Sequence, residues 1–244
     1  MDGQDLTVLT IGVVYPDLLG TYGDGGNAVA LAARARARDI EVEVVAMTIG
    51  AGISSADLYL LGGGEDGPQR LARDLLSDAG FVERVSEGAY VFAVCAGLQI
   101  LGTSFSVEGD ASYPGLALVD ATTTRGVTRS VGDLATMVAG RLMVGFENHG
   151  GVTVLGEGVS PLGQVVAGRG NDGRVDGYRA SRIWATYAHG PVLAQNPWLA
   201  DEVVSTVTGI ELAAWSSVAD RLYAQRCGLL STRHPADDRT QGRH

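Results

Sequence analysis

Hydrophobic positions along the chain fall into runs of two different periods. LTVLTIGVVY (6–15) is a near-continuous apolar stretch followed by a glycine-rich loop, the pattern of a strand covered on both faces. IEVEVV (40–45) alternates, ADLYLL (56–61) is continuous again and ends in Gly62, Gly63 and Gly64, and YVFAV (90–94) is a five-residue apolar run. Between these, NAVALAARARARD (27–39) and the stretch from Pro68 to Glu87 repeat at helical spacing. Asn27 is placed to cap the first helix, and Pro68 suits a first turn. Beyond residue 105 the pattern changes to short apolar segments broken by glycines, such as GLALVDATT, AGRLMVGFENHGG and LGQVVAGRG. These predict hairpins or a mixed-sheet extension. Two C-terminal helices, about 197–208 and 211–226, precede a polar tail (231–244) that is expected to be disordered.

Strands alternating with helices predict an α/β fold with a largely parallel sheet. The expectation is a single flavodoxin-like or Rossmann-like domain over residues 1–230, with helices flanking the central sheet and a β-rich extension. No internal repeat and no linker divides it.

Composition narrows the chemistry. The 244 residues carry 28 acids and 18 bases, a net charge of −10, and every base is arginine. The absence of lysine excludes a Walker-type phosphate loop, a lysine Schiff base and a lysine general base. If ATP is used, another chain is expected to bind it. An acidic balance also opposes general nucleic-acid binding, which needs a basic stripe to displace counterions. The start, MDGQD, lacks the pattern of a secretory signal, and no apolar run approaches the roughly 18 residues of a membrane span, so a cytoplasmic protein is expected. With only Cys95 and Cys227, neither a disulfide framework nor a cysteine-based zinc site can be built. Asp24, Glu65, Asp66 and Glu147 lie in or near glycine-rich loops, where acids more often form turns than hold metals. No metal site is expected.

The stretch YVFAVCAGLQILG (90–102) is the most informative. A buried strand runs into Cys95, then Ala96 and Gly97, then a helix-like turn. This is the layout of a nucleophile elbow, in which small neighbours permit a sharp backbone turn that exposes the side chain. A helix N-terminus behind the thiol would favour the thiolate. A buried core cysteine at a strand end would look similar, but the Gly62–Gly64 run ends the preceding strand and can bring backbone N–H groups beside the thiol. Cys227 shares helical spacing with Trp215, Val218, Leu222 and Leu229 and reads as packing. Of the four histidines, His234 and His244 lie in the tail. His189 closes the run IWATYA (183–188) before Gly190 and Pro191, at a strand end where α/β ligand sites collect, whereas His149 in GFENHGG could equally shape a loop.

Taken together, TYGDGGN (21–27), LLGGGEDGPQ (60–69), VCAGLQILG (94–102), GFENHGG (145–151) and YAHGPVLAQNP (187–197) resemble a class I glutamine amidotransferase of the cobyric-acid-synthase-like branch. Within that branch they are similar to the glutaminase subunits of lipid II isoglutaminyl synthases. The resemblance spans about residues 6–226. It implies that L-glutamine is hydrolysed here and that the ammonia passes to a MurT-like subunit of the Mur-ligase family. That partner, with ATP and magnesium, would amidate the α-carboxylate of D-glutamate in lipid II. By the same resemblance Cys95 is the nucleophile and His189 the general base, and Gly63 and Ala96 form the oxyanion hole. Gln99, Gly64 and Arg129 bind glutamine, with Arg125 a rival for the carboxylate clamp. The family's glutamate two residues after the histidine is replaced by Pro191. Either the site works as a dyad, or the orienting acid is expected from the partner subunit or, within the chain, from Asp201 or Glu202.

Other classes fit less well. A solitary cysteine hydrolase would share the elbow but not Gln99 and the late histidine motif, and a cobyrinate-type amidotransferase or a non-catalytic subunit would differ in acceptor or activity. Gly23 to Ala28 fit a dinucleotide fingerprint with Glu41 or Glu43 downstream, yet seven residues separate it from its strand.

Overall fold

The computed structural model describes residues 8–106 and 112–232. Its central sheet contains β1 (Val8–Val14), β2 (Glu41–Met47), β3 (Leu58–Leu61), β4 (Tyr90–Val94), β11 (Tyr178–Ala180) and β12 (Ile183–Thr186), in the order β11-β12-β4-β3-β1-β2. All neighbouring pairs are parallel except β11 with β12. The inner strand β3 is buried along its whole length, and β4 is buried from Val91 onward. β2 lies at the edge and exposes Glu41, Glu43, Val44 and Ala46 while burying Val42 and Met47, which is why it reads as a mixed, not a continuous, apolar segment. The chain leaves β1 toward β2 and returns to the other side of β1 as β3, creating a crevice at the carboxyl ends of β1 and β3.

The helices differ from the sequence expectation in instructive ways. α1 (Gly26–Arg36) begins before Asn27, whose side chain is buried and accepts the Leu193 N–H at 2.9 Å, so it anchors a distant segment and does not cap. The long helix expected from Pro68 divides into α2 (Asp66–Asp78) and α3 (Phe81–Glu87) because Gly80 adopts a left-handed φ of 71°. α4 (Ala96–Leu101) follows Cys95, and α5 (Val192–Gln195) follows β12. α6 (Pro197–Thr208) forms as expected, whereas residues 211–217 are not helical and α7 runs from Val218 to Thr232. Ser217 precedes α7: its N–H and its hydroxyl both donate to Asp220 Oδ2, at 2.8 and 2.6 Å, so the acid of the first turn holds the cap residue without the return bond of a full capping box. Trp215 is drawn out of any helical stripe by the guanidinium groups of Arg34 and Arg38, each 5.1 Å from its ring. Trp215, Val218 and Leu222 of the stripe expected around Cys227 are exposed, Cys227 is half-buried, and the Leu229 side chain lies outside the described residues. No helix among the described residues is long and apolar enough to cross a membrane. The tail from residue 233 lies outside the described residues.

The β-rich extension is a second sheet in the order β10-β9-β7-β5-β6. Its strands are β5 (Ser104–Ser106), β6 (Ser112–Pro114), β7 (Ala121–Val138), β9 (Gly163–Ala167) and β10 (Val175–Asp176), with β8 (Arg141–Leu155) pairing antiparallel to β7. The β7–β8 register breaks between Arg125, opposite Gly151, and Ser130, opposite His149. Residues 126–129 therefore oppose Gly150 alone and bulge from the ladder. The bulge carries Arg129 on the side of the central sheet's carboxyl edge.

Candidate active site

Cys95, Gly63, Asp24 and His189 all come from the carboxyl ends of adjacent parallel strands. Cys95 directly follows β4, and its N–H bonds the carbonyl of Thr186 at the end of β12. Its backbone, φ 51° and ψ −102°, is strained for a residue with a side chain, at a cost of about 1–3 kcal/mol, as expected of an elbow. The turn fits because Gly97 presses on β3: a Cβ there would lie 2.7 Å from the Leu61 Cβ. Cys95 is 5% exposed and lines a cavity of about 430 Å³.

Burial pushes the Cys95 thiol up to about 12, and the Asp24 carboxylate adds to the rise; the Ala96 N–H and Arg129 pull the other way. The expected favouring of thiolate by the helix is thus outweighed, since α4 is a single short helix of six residues and the desolvation acts on the whole charge. At rest Cys95 is held as a thiol, so for it to act as a nucleophile a base would have to take its proton.

His189 can be that base. It is 0% exposed, and its Nδ1 lies 2.9 Å from Asp24 Oδ2. A carboxylate only accepts, so Nδ1 carries the proton and the neutral ring keeps a lone pair on Nε2. That nitrogen has no hydrogen-bond partner among the described residues. Two rings fix the imidazole: Tyr22 with its centroid 4.6 Å away and Phe146, stacked at 5.4 Å.

Asp24 therefore occupies the position expected for an acid from the partner, or for Asp201 or Glu202. Asp201 is bound to Arg34 and Arg38, and Glu202 to Arg179, so neither is available to the histidine. The acid comes from the loop after β1, not from the histidine's own segment, because β1 ends in the same crevice. A second correction concerns Gly63. Its N–H donates to Asp24 Oδ2 at 2.8 Å, so it steadies the acid and is not free for an oxyanion. Gly63 must be glycine here, since a Cβ would stand 2.5 Å from His189 Cε1.

The cavity beside Cys95 is strongly polar. Gly64, Gln69, Gln99, Arg125, Arg129, Asn148 and His149 are among its lining residues. Arg129 is braced by Asn148, from Nε to Oδ1 at 2.6 Å, and reaches the Tyr22 hydroxyl at 3.1 Å. Arg125 forms an ion pair with Asp66 at 3.0 Å. Tyr22 also donates to Glu65 at 2.9 Å, so one loop residue shields His189 and links Arg129 to the Gly62–Gly64 loop's end. The four acids weighed above as turn formers go to four separate partners: Asp24 to His189, Glu65 to Tyr22, Asp66 to Arg125 and Glu147 to His149.

Sequence reasoning missed Asp24, Tyr22 and Asn148 as working residues. For Asp24 a signal existed: it follows the first strand at the carboxyl edge, the same placement that singled out His189.

This fold and this arrangement define a glutamine amidotransferase. Residues 10–197 match the CobB/CobQ-like glutamine amidotransferase domain model, and the chain belongs to that family. More particularly, it is 35% identical over 201 residues to the lipid II isoglutaminyl synthase (glutamine-hydrolyzing) subunit GatD of Staphylococcus aureus, covering 79% of this chain and 82% of that one. It is 29% identical over 250 residues to the GatD subunit of Streptococcus pneumoniae, covering 92% of each chain. Among solved structures, the crystal structure of a glutamine amidotransferase superposes with a TM-score of 0.54 over 82% of this chain and 99% of that chain, at 21% identity. That likeness supports the class I amidotransferase fold.

Proposed function

We infer that the chain is the glutaminase subunit of a lipid II isoglutaminyl synthase. It hydrolyses L-glutamine to glutamate and ammonia, and passes the ammonia to a MurT-like, ATP- and magnesium-dependent ligase subunit that amidates the D-glutamate α-carboxylate. The observation that carries the hydrolytic half is the histidine between two fates: Nδ1 held by Asp24 and Nε2 without a partner at the strand edge that ends in Cys95. The acceptor half rests on the two GatD relatives.

In this reading glutamine lies in the cavity with its α-carboxylate on Arg129, supported by Gln99 and Gly64. His189 Nε2 takes the Cys95 proton as sulfur attacks the side-chain amide carbon. The N–H groups of Ala96 and Gly64 serve the oxyanion. The C–N bond then breaks, His189 returns the proton to the departing nitrogen, and ammonia leaves a γ-glutamyl thioester. Water, deprotonated by His189, cleaves the thioester to glutamate and regenerates the thiol. Asp24 fixes the tautomer throughout and stabilises the cationic ring.

The test is release of glutamate and ammonia from glutamine by the chain, alone and with the ligase subunit. Cys95→Ala is expected to abolish it, while Cys227→Ala retains it. The reverse pattern would overturn the assignment of the nucleophile.

A further inference from the structure

His149 lines the same cavity as Cys95 and is 3% exposed, yet it has no place in the reaction above. Its ring is held on both sides. Nδ1 lies 3.0 Å from the Gly151 carbonyl oxygen, and Nε2 lies 3.2 Å from Glu147 Oε2. Each ring nitrogen thus faces an oxygen of the protein, and neither is left open toward the cavity. Glu147 is itself fixed by the N–H groups of Arg169 and Gly170 at 2.8 and 2.9 Å.

What the pair does is visible in its next contact. The His149 ring stacks on Tyr187 with centroids 3.8 Å apart and planes 19° from parallel. The Tyr187 hydroxyl shares a hydrogen bond with Thr153 at 2.7 Å and receives one from Gln99 Nε2 at 3.2 Å. Gln99 Oε1 in turn accepts from Gln69 Nε2 at 2.9 Å. The Gln99 carboxamide thus has one orientation that satisfies both neighbours, and a flip would set its amino group against that of Gln69.

We propose that Glu147 and His149 form a positioning unit for the glutamine pocket. Resting on the glutaminase reading above, the unit holds Tyr187 so that its hydroxyl locks the Gln99 carboxamide, and thereby controls how tightly the substrate is bound but not the chemistry at Cys95. Losing one oriented polar contact to the substrate raises KM about tenfold.

The experiment compares full-length wild type, His149→Gln, Glu147→Gln, Gln99→Ala and the His149→Gln/Gln99→Ala double variant. Steady-state glutamine hydrolysis gives KM and kcat. Alkylation of Cys95 by iodoacetamide, which requires no recognition of an amino acid, reports the thiol. His149→Gln and Glu147→Gln are expected to raise KM about tenfold, with kcat within about threefold and the alkylation rate of wild type. The double variant is expected to be no worse than Gln99→Ala alone, because His149 acts through Gln99. A residue that merely supported the fold would lower the active fraction and kcat while leaving KM in place. That result, or multiplicative losses in the double variant, overturns the proposal. Should His149→Gln fail to fold, Tyr187→Phe removes only the hydroxyl that joins the pair to Gln99, and an unchanged KM there is equally fatal. Wild-type chain that hydrolyses glutamine neither alone nor with the ligase subunit would overturn the glutaminase reading itself and this proposal with it, whereas hydrolysis with unmoved KM in the variants would overturn the positioning role alone.

Discussion

Two histidine–carboxylate pairs lie buried at opposite conditions of saturation within one site. His189 and His149 are both almost wholly removed from solvent, each bonds an acid, and each is flanked by an aromatic ring. In the first pair the histidine keeps a nitrogen, and Asp24 keeps an oxygen, with no hydrogen-bond partner among the described residues. In the second, both ring nitrogens and both carboxylate oxygens are engaged. Leaving buried polar atoms unmet costs stability, of the order of 1–3 kcal/mol each; Arg84, Thr136, Trp184 and Trp198 also carry such atoms, so it is the vacancy at the strand edge that ends in Cys95, not a vacancy as such, that fits a bond still to be made. The saturated pair has no such vacancy and acts as scaffold. A buried histidine beside an acid is therefore not by itself a catalytic signature; the difference here is a ring nitrogen left open beside the strand edge that ends in Cys95.

The comparison breaks most sharply through the two histidines. His189→Ala is expected to cost about 10²–10⁴ in turnover, the range of a positioned acid–base group, and Asp24→Asn a loss within the same range by disturbing the tautomer. His149→Ala is expected to lose far less turnover. Equal losses in kcat for His189 and His149 variants would erase the distinction between the open and the saturated pair.

A smaller effect concerns the cavity between them. Arg129→Ala is expected to raise the glutamine concentration for half-saturation by about tenfold or more, because a guanidinium braced by Asn148 is pre-set to receive a carboxylate. Arg125→Ala should change it less, since that group is already committed to Asp66. Saturation curves for both variants decide between them.

The smallest effect sharpens the comparison with a third acid, one that no histidine holds. Burial pushes the Asp176 carboxyl up to about 6, against the Thr186 hydroxyl and the Tyr187 N–H that pull it down. The folded chain then binds this proton more tightly than the unfolded one, whose carboxyl titrates near 4. The resulting stability is complete below about pH 4 and is lost as pH rises through about 6. Asp176→Asn, which cannot ionise, is expected to gain on wild type by about 2–3 kcal/mol between those limits, read as a melting-temperature difference that widens from pH 4 to pH 7. A difference constant with pH would show that burial does not govern this carboxyl.

Much of the architecture was legible because it is written in local pattern. The continuous apolar runs of β1, β3 and β4 announce strands covered on both faces, and Cys95 between YVFAV and AGLQ announces the elbow without reference to any other part of the chain. The Ser217-Val218-Ala219-Asp220 cap was equally local, but the apolar spacing of Trp215 with Val218 and Leu222 masked it. Asp24 was harder: its place after the first strand was a signal, but it stands 165 positions from His189 in a glycine-rich loop where acids commonly form turns, so only the fold brings the two together.

By itself the sequence determined the strands of the central sheet, singled out Cys95 and His189 as the candidate nucleophile and base, and marked the family, since periodicity, small-residue turns and spaced motifs are properties of short segments. Only the tertiary structure decided that Asp24 is the acid bonded to His189 and that the Gly63 N–H is committed to that acid. It also decided that burial, not the helix end, governs the Cys95 thiol. Each of these depends on which strand ends meet at one edge and on how much water remains there. Desolvation and a hydrogen bond between distant loops exist only once the sheet has brought them together.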